Sequence, residues 1–394
     1  MKTLVVSGQD EFANKVFNQI KNVADQLSIE CKHVSYFKKT PSYGINLAAT
    51  YNLPSKLTAI KDIITHYELF KNTWEYSINM PFLKRIYWSY SSIRNIKLAE
   101  VIINKEKPNR ILVWNGSVNM NGAWVVAAQQ HNIPCYYLEK SFFHNSWIID
   151  KKGIGPLSSI NTIEWKNEIE TLDNTQKNNN IILAKTRISK SILEKSSAWE
   201  QPENNTELDQ LIQLKKKGKK LLFFPQQVDG DTNIFLFSTL FKKCFGYLDF
   251  IVDNLQEPWN LVVKPHPKSL NPFSKNMYPF KKNNVHLYEN INVHNIIEIC
   301  DKVITINSNV GTESIMHNKP TATMGKYILD SINITKKVSD KKQLKDFLKN
   351  DNDTDTHYLH NAIGHLLNTQ ISIINEPLFK SNILNKIISN KHDL

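Results

Sequence analysis

KVITINSNVGTESIMHNKPTATMGK, residues 302–326, reads as strand, tight turn, short helix and strand. Val303, Ile304, Thr305 and Ile306 are a β-branched run of the kind found in buried parallel strands. Asn307, Ser308 and Asn309 supply turn and helix-cap chemistry, and Gly311 loosens the backbone. Glu313 is expected in the first turn of the helix, which Asn318-Lys319-Pro320 then stops. A helix N-terminus just past a parallel strand offers unpaired backbone N–H groups and a positive dipole end, the place where α/β proteins hold phosphate. Lys264-Pro265-His266-Pro267 has the same placement after the strand 259–263. Two phosphate-facing loops in one half of the chain point to a nucleotide-sugar site.

Working outward, 394 residues exceed one ordinary core, so two domains are expected. The balance of 49 Lys+Arg against 37 Asp+Glu gives a net charge of +12, which favours an anionic partner: nucleic acid, anionic membrane or phosphorylated substrate. No zinc spacing, helix-turn-helix or RNP-type motif supports nucleic acid. Cys31, Cys135, Cys244 and Cys300 are scattered without a CxxC pair, as expected of buried thiols in a reducing compartment. The opening MKTLVVSGQDEF has too short an apolar run for a signal peptide, and no run approaches a spanning helix. The expected location is cytoplasmic, with any membrane contact peripheral.

In chain order, residues 3–6 form a strand ending in Ser7-Gly8, followed by a helix with Phe12, Val16, Ile20 and Val23 on one face. Residues 55–105 read as mostly helical and rich in aromatics and bases. A strand at 110–114 ends in Asn115-Gly116-Ser117; a helix at 121–131 and a strand at 134–138 ending at Glu139 follow. This rhythm implies a parallel sheet. Helices with polar joints fill 160–200, and Ser196–Thr206 is the linker candidate. The βα rhythm then resumes: a strand at 220–224, a long helix at 233–255, strands at 259–263 and 302–306, and a helical tail from about 353. The expected architecture is α/β, two Rossmann-type domains with parallel sheets facing a cleft. Residues 1–205 would be the acceptor-side domain and 206–394 the donor-binding domain, with the last helices able to pack back on the first. Ligands in open α/β sheets bind beyond the carboxyl ends of strands, which singles out Asn115, Glu139, Asp231, His266 and Ser308. Ser7, Gly8, Asn115 and Gly116 are the acceptor-side candidates.

Each candidate also has a plain structural reading. Lys264–Pro267 is either a proline-stiffened strand end or a loop that aims His266 and the charge of Lys264 at a phosphate. Ser308 to Glu313 is either a simple helix cap or a nucleotide site. Gln227 to Asn233, with Asp229-Gly230-Asp231, is either turn chemistry or a strand-end carboxylate near an anomeric carbon. Glu139 is either the strand leaving the core or the partner of Asp231, one carboxylate per domain. Met80 to Lys97 interleaves aromatics with bases, as a core-packed helix or as an interfacial patch for anionic lipid.

Several of these motifs coincide in one family. LEKSFFHNSWIIDKKGIG (138–155), FPQQVDGDTN (224–233), VKPHP (263–267) and INSNVGTESIMHNKPTATMGK (306–326) resemble the bacterial capsule-polysaccharide glycosyltransferases that use CMP-Kdo, the retaining β-Kdo transferases. The resemblance spans roughly 110–330. It implies a GT-B fold and a CMP-Kdo donor in the second domain. No cofactor and no metal is expected, because basic and helix-dipole groups can neutralise the phosphate. The resemblance places His266 on the donor phosphate, Ser308 and Asn309 at the nucleotide, and Glu313 on ribose or cytosine. Gln227, Lys264 and Gly311 complete the donor set. Asp231, the Asp of the Gln-x-x-x-Asp that begins at Gln227, would be the catalytic carboxylate, with Glu139 as acid/base and His266 stabilising departing CMP. Ser141 stands where the family often has Gly.

With one set of motifs, the chain looks like the single-module type, which places the first Kdo on a phosphatidylglycerol lipid at the inner face of the cytoplasmic membrane. Expected partners are therefore a nucleotide-sugar donor, an anionic lipid acceptor and other capsule-assembly proteins. Two rival readings stay open: a CDP-glycerol-type glycerophosphotransferase and a catalytically silent assembly scaffold.

Overall fold

The computed structural model describes residues 2–6, 11–26, 28–35, 44–46, 82–117, 119–195, 205–350 and 355–374. Ser7, Gly8 and most of the linker candidate lie outside the described residues, as do residues 55–81 of the aromatic and basic segment. The chain divides into two compact units. The first comprises residues 1–141, 145–159 and 368–394; the second comprises 142–144 and 160–367.

The first unit runs β1 (Lys2–Val6), α1 (Glu11–Gln26), β2 (Glu30–Ser35), β3 (Gly44–Asn46), α2 (Phe82–Glu106), β4 (Arg110–Trp114), α3 (Asn119–Gln130), β5 (Cys135–Lys140) and β6 (Ser146–Asp150). Strands β1 and β4 are buried on both faces, so their side chains alternate between two cores. Leu4, Val6, Ile111 and Val113 join Ile96, Ile102 and Trp124 of the helices on one face. Val5, Leu112 and Trp114 meet Ala13, Val16, Phe17, Ile20 and Ala24 on the other, a stripe at helical spacing along α1. From residue 91 onward, the basic–aromatic segment takes its plain reading: Ile93, Ile96, Ile102 and Ile103 are core.

The sheet order is β13-β6-β5-β4-β1-β2-β3. The strands from β5 to β3 are parallel, but β6 turns back antiparallel on β5, with Glu139 opposite Ile148. The last strand, β13 (Ile371–Ile373), pairs antiparallel with β6. An apolar run such as Trp147-Ile148-Ile149 fits a buried strand of either direction, so the hairpin leaves no mark in the pattern.

The second unit runs α4 (Trp165–Thr171), α5 (Asn174–Leu193), α6 (Asn205–Lys216), β7 (Lys220–Pro225), α7 (Thr232–Phe237), α8 (Cys244–Asn254), β8 (Trp259–Lys264), β9 (Val285–Leu287) and α9 (Val293–Ile299). It continues through β10 (Lys302–Thr305), α10 (Asn309–Met316), β11 (Thr321–Thr323), β12 (Lys336–Lys337), α11 (Lys341–Lys349) and α12 (Thr356–Thr369). The order β12-β11-β10-β7-β8-β9 is all parallel. It is the doubly wound order, with its switch point between β7 and β10. Burial again alternates: Leu222, Phe224, Leu261, Val263 and Ile304 face one core, and Leu221, Phe223, Val262 and Val303 the other.

Both units are thus α/β with parallel-rich sheets, as the sequence implies. Three local readings change. The units divide at 159/160, not at 205/206, because residues 160–193 pack with the second unit. There Asn161 Nδ2 donates to the Tyr327 carbonyl (3.0 Å), Trp165 Nε1 to Ser331 Oγ (3.0 Å), and Gly364 lies directly on the Asn180 backbone. The helix expected over 233–255 is two helices. The chain leaves α7 at Ser238, where the Phe237 carbonyl accepts from Lys326 N–H (2.9 Å) and Thr239 Oγ1 donates to the Met324 carbonyl (2.7 Å). Glu313 lies beyond the first turn of α10.

Candidate functional site

The ends of β7, β8 and β10 surround a cavity in the second unit, at the switch point of its sheet. From β7 come Pro225 to Val228, Asp231 and Asn233; from β8, Lys264 to Pro267; from α10, Ser308, Asn309, Val310 and Glu313. Seven of the eight donor-side and catalytic candidates in this unit therefore meet in one cavity. The exception is Gly311, which is not among its lining residues. A Cβ there would stand 3.1 Å from Thr305 Cγ2 and 3.4 Å from the Tyr327 hydroxyl, so this glycine lets α10 sit close on the strand beneath it.

The N-terminus of α10 opens on the cavity through Ser308, Asn309 and Val310. Ser308 caps it, its hydroxyl accepting from Val310 N–H at 3.2 Å. The turn before it is fixed by Gln227. Gln227 Nε2 donates to Asn307 Oδ1 (2.9 Å), and its Oε1 accepts from Asn307 N–H (3.0 Å). Asn307 Nδ2 in turn donates to the Asn233 carbonyl (2.9 Å). Gln227 thus acts by positioning: it ties the loop after β7 to the turn after β10.

Gln226 does the same for the histidine loop. Its Nε2 donates to the Asn271 carbonyl (2.9 Å) and its Oε1 accepts from Phe273 N–H (3.0 Å). His266 Nδ1 accepts from Lys268 N–H at 3.1 Å, so the neutral ring carries its proton on Nε2, a donor suited to a phosphate oxygen. Burial and the neighbouring Lys264 hold His266 below its usual pKa. Lys264 is buried, donates to the Glu289 carbonyl (3.1 Å), and is itself held below the usual lysine value by burial.

The two aspartates after β7 separate. Asp229 Oδ1 accepts from Cys244 N–H at 2.6 Å, capping the start of α8. Asp231 caps the short α7, accepting from Asn233 N–H at 3.0 Å, and lines the cavity. Asp231 is solvent-exposed at the mouth, yet the protein packed around it desolvates the carboxylate enough to hold its pKa above the usual value. Glu313 is buried, one of its carboxylate oxygens has no hydrogen-bond partner, and burial pushes it up to about 7. A simple dipole-stabilising role does not account for a buried acceptor left open at a cavity wall.

In the first unit, Asn115 and Gly116 follow β4, both with positive φ, of 65° and 72°. Asn115 Oδ1 accepts from Ser117 N–H (3.0 Å) and from its hydroxyl, so this side chain shapes its own turn. Glu139 ends β5 and accepts from Gly155 N–H at 2.7 Å. The residue is half-buried, and desolvation, with nearby Asp150 adding to it, pushes its carboxyl up to about 8. Asp150, which sequence reasoning passed over, organises the loop to Ser159. Its carboxylate accepts from Lys152 N–H (2.7 Å), Ser158 Oγ (2.7 Å) and Ser159 N–H (2.8 Å).

Among the described residues, no group of three or more His, Cys, Asp or Glu side chains could hold a metal ion. No described helix is long and apolar enough to cross a membrane.

Among solved structures, the chain is similar to the KpsC β-Kdo 2,7 transferase of Thermosulfurimonas dismutans, at 16% identity and TM-score 0.41, covering 79% of this chain and 96% of that one. It is similar to the KpsC β-Kdo 2,4 transferase of the same organism at 15% identity and TM-score 0.44, covering 66% and 80%. It is also similar to a UDP-N-acetylglucosamine 2-epimerase of Listeria monocytogenes at 13% identity and TM-score 0.39, covering 98% and 95%. No curated protein matches it. The family described as capsule polysaccharide biosynthesis protein matches residues 170–373, more than half of the chain and the whole of the cavity. The chain belongs to the family of capsule polysaccharide biosynthesis proteins.

Proposed function

We propose that the chain is a glycosyltransferase that moves Kdo from CMP-Kdo to a lipid acceptor of the phosphatidylglycerol type, with retention of anomeric configuration. The observation that carries this reading is the cavity itself. It gathers a capped helix N-terminus, Lys264 and an Nε2–H donor on His266, with an open buried carboxylate at Glu313 and the exposed Asp231. The first three are phosphate chemistry. Glu313 suits the hydroxyls or amino group of a nucleoside, and Asp231 suits a sugar carbon.

In the proposed reaction an Asp231 oxygen attacks the anomeric carbon and the bond to the phosphate oxygen breaks. CMP leaves with the electron pair, and the helix end, Lys264 and His266 stabilise its charge. The acceptor hydroxyl then attacks the same carbon, loses its proton to a base, and releases the Asp231 carboxylate. Two inversions give net retention. Glu139, with its raised pKa, is proposed as that base.

The test incubates the pure protein with CMP-Kdo and a fluorescent phosphatidylglycerol and reads product mass, with CDP-glycerol as competing donor. A product one Kdo heavier is expected. His266→Ala should weaken CMP binding at unchanged fold. Glycerophosphate transfer, or no CMP binding by calorimetry, would overturn the reading.

A further inference from the structure

The loop that carries His266 runs on into an exposed face of the second unit that mixes apolar and basic side chains. Leu270 is 93% exposed, Tyr278 68%, Phe245 38% and Phe241 37%. Phe245 and Phe241 pack on the buried rings of Phe273 and Tyr247. Phe245 meets Phe273 edge-on at 6.4 Å, Phe273 meets Phe280 at 6.1 Å, and Phe241 lies against Gly246 and packs on Tyr247 at 5.1 Å. Lys242, Lys243, Lys268, Lys275 and Lys281 are exposed around it, and Lys282 sits 5.7 Å over the Tyr278 ring. The acidic side chains on the adjoining α8 are Asp249 and Asp253, the latter paired with Lys282.

We propose that this face docks the chain on an anionic bilayer, with Leu270 and the aromatic rims entering the headgroup region and the lysines engaging lipid charge. A basic surface alone would serve any polyanion. An aliphatic side chain presented almost whole to solvent, on a segment that also exposes Lys268 and Lys275 and runs on to Tyr278, is instead the composition of an interfacial membrane site. The face is continuous with the cavity through the 266–273 segment, which Gln226 holds at both Asn271 and Phe273. Docking therefore brings the histidine loop to the lipid surface. The inference deepens the lipid-acceptor reading above and rests on it for its purpose.

The experiment is flotation of the full chain with phosphatidylcholine vesicles, with and without phosphatidylglycerol. Wild type should float with the anionic vesicles, less so at high salt. Leu270→Ser combined with Lys275→Glu and Lys281→Glu should bind at least about tenfold more weakly, since each basic residue near the surface contributes substantially. Lys185→Glu with Lys190→Glu on α5 makes the same charge change elsewhere and should float like wild type. A solvatochromic dye on Leu270→Cys should shift blue on anionic vesicles, which reports insertion independently of the charge variants. Melting curves and CMP affinity should match wild type throughout. Unchanged flotation of the triple variant, equal loss in the control, no dye shift, or patch-dependent binding to a soluble polyanion without flotation would each overturn the proposal. Failure of the catalytic reading is distinguishable, because it appears as absent CMP binding whatever the flotation result.

Discussion

Gln227 and Asn307 pair in both directions, side-chain amide to side-chain oxygen at 2.9 Å and backbone N–H to side-chain oxygen at 3.0 Å. The two residues lie 80 positions apart and are both buried. This pair joins the ends of β7 and β10 across the switch point, where backbone pairing has already ended. Gln227→Glu should break it, since a carboxylate would face Asn307 Oδ1 with no proton to give. Loss of a buried pair that leaves a polar atom unpaired costs about 1–3 kcal/mol. The expected outcome is a lowered melting temperature together with weaker CMP binding, because the turn that presents Ser308 and Val310 is released. Full CMP affinity in a destabilised variant would show that the turn holds itself.

Glu313 makes stability depend on pH. Its folded pKa is raised from 4.5 to about 7 by burial. Below 4.5, folded and unfolded chains both hold the proton. Between 4.5 and about 7 the unfolded chain releases it first, so stability falls as pH rises through that window, and above it the penalty is constant. The difference corresponds to about 3 kcal/mol. Glu313→Gln removes the titration at nearly the same shape. It should melt well above wild type at pH 8 and close to it at pH 5. Parallel pH profiles for the two proteins would rule out the burial account.

Gly364 tests the packing of α12 on α5. A Cβ there would stand 2.5 Å from the Asn180 carbonyl carbon and closer still to its oxygen, both backbone atoms. Neither can swing aside as a side chain can. Gly364→Ala should therefore reach the upper end of overpacking costs, about 3 kcal/mol. Denaturant midpoints would measure it, and a midpoint equal to wild type would mean that the helices slide apart freely.

Much of the candidate site was legible because each ligand-type residue follows an apolar run. Val262 and Val263 announce Lys264 and His266, Val303 to Ile306 announce Ser308, and Leu221 to Phe224 announce Asp231. What such a pattern cannot give is direction. Asp229 and Asp231 look alike in a turn, but in the fold one turns to Cys244 and the other to the cavity. Gln226 was passed over, because nothing beside it in sequence signals that its amide holds Asn271 and Phe273. Nonlocal pairings were silent for the same reason. The short β13 gives no local sign that it completes a sheet begun at the other end of the chain. Residues 160–200 read as helices with polar joints, with no sign of the unit they join, because Trp165, Ile169, Ala184 and Ile188 are sparse among surface residues, yet these four are buried and residues 160–193 fall in the second unit.

Asp231 carries the sharpest prediction. Its carboxylate lines the cavity, while that of Asp229 accepts from Cys244 N–H. If Asp231 is the nucleophile, Asp231→Ala should lose nearly all turnover and still bind CMP, because the proposed phosphate contacts are His266 and Lys264 at the end of β8 and the start of α10. Asp231→Asn should fail alike, since an amide of the same shape is a poor nucleophile. Asp229→Ala should lose about 1 kcal/mol of stability, as for a helix cap, and keep its chemistry. Glu139→Gln should slow transfer to the acceptor and let the glycosyl–enzyme ester accumulate. Intact-protein mass spectrometry with CMP-Kdo would then show one added Kdo, and peptide mapping should place it on residue 231. Melting curves separate lost chemistry from lost fold. An adduct at Asp229, or a product of inverted configuration by NMR, would show that another carboxylate or a single displacement does the work.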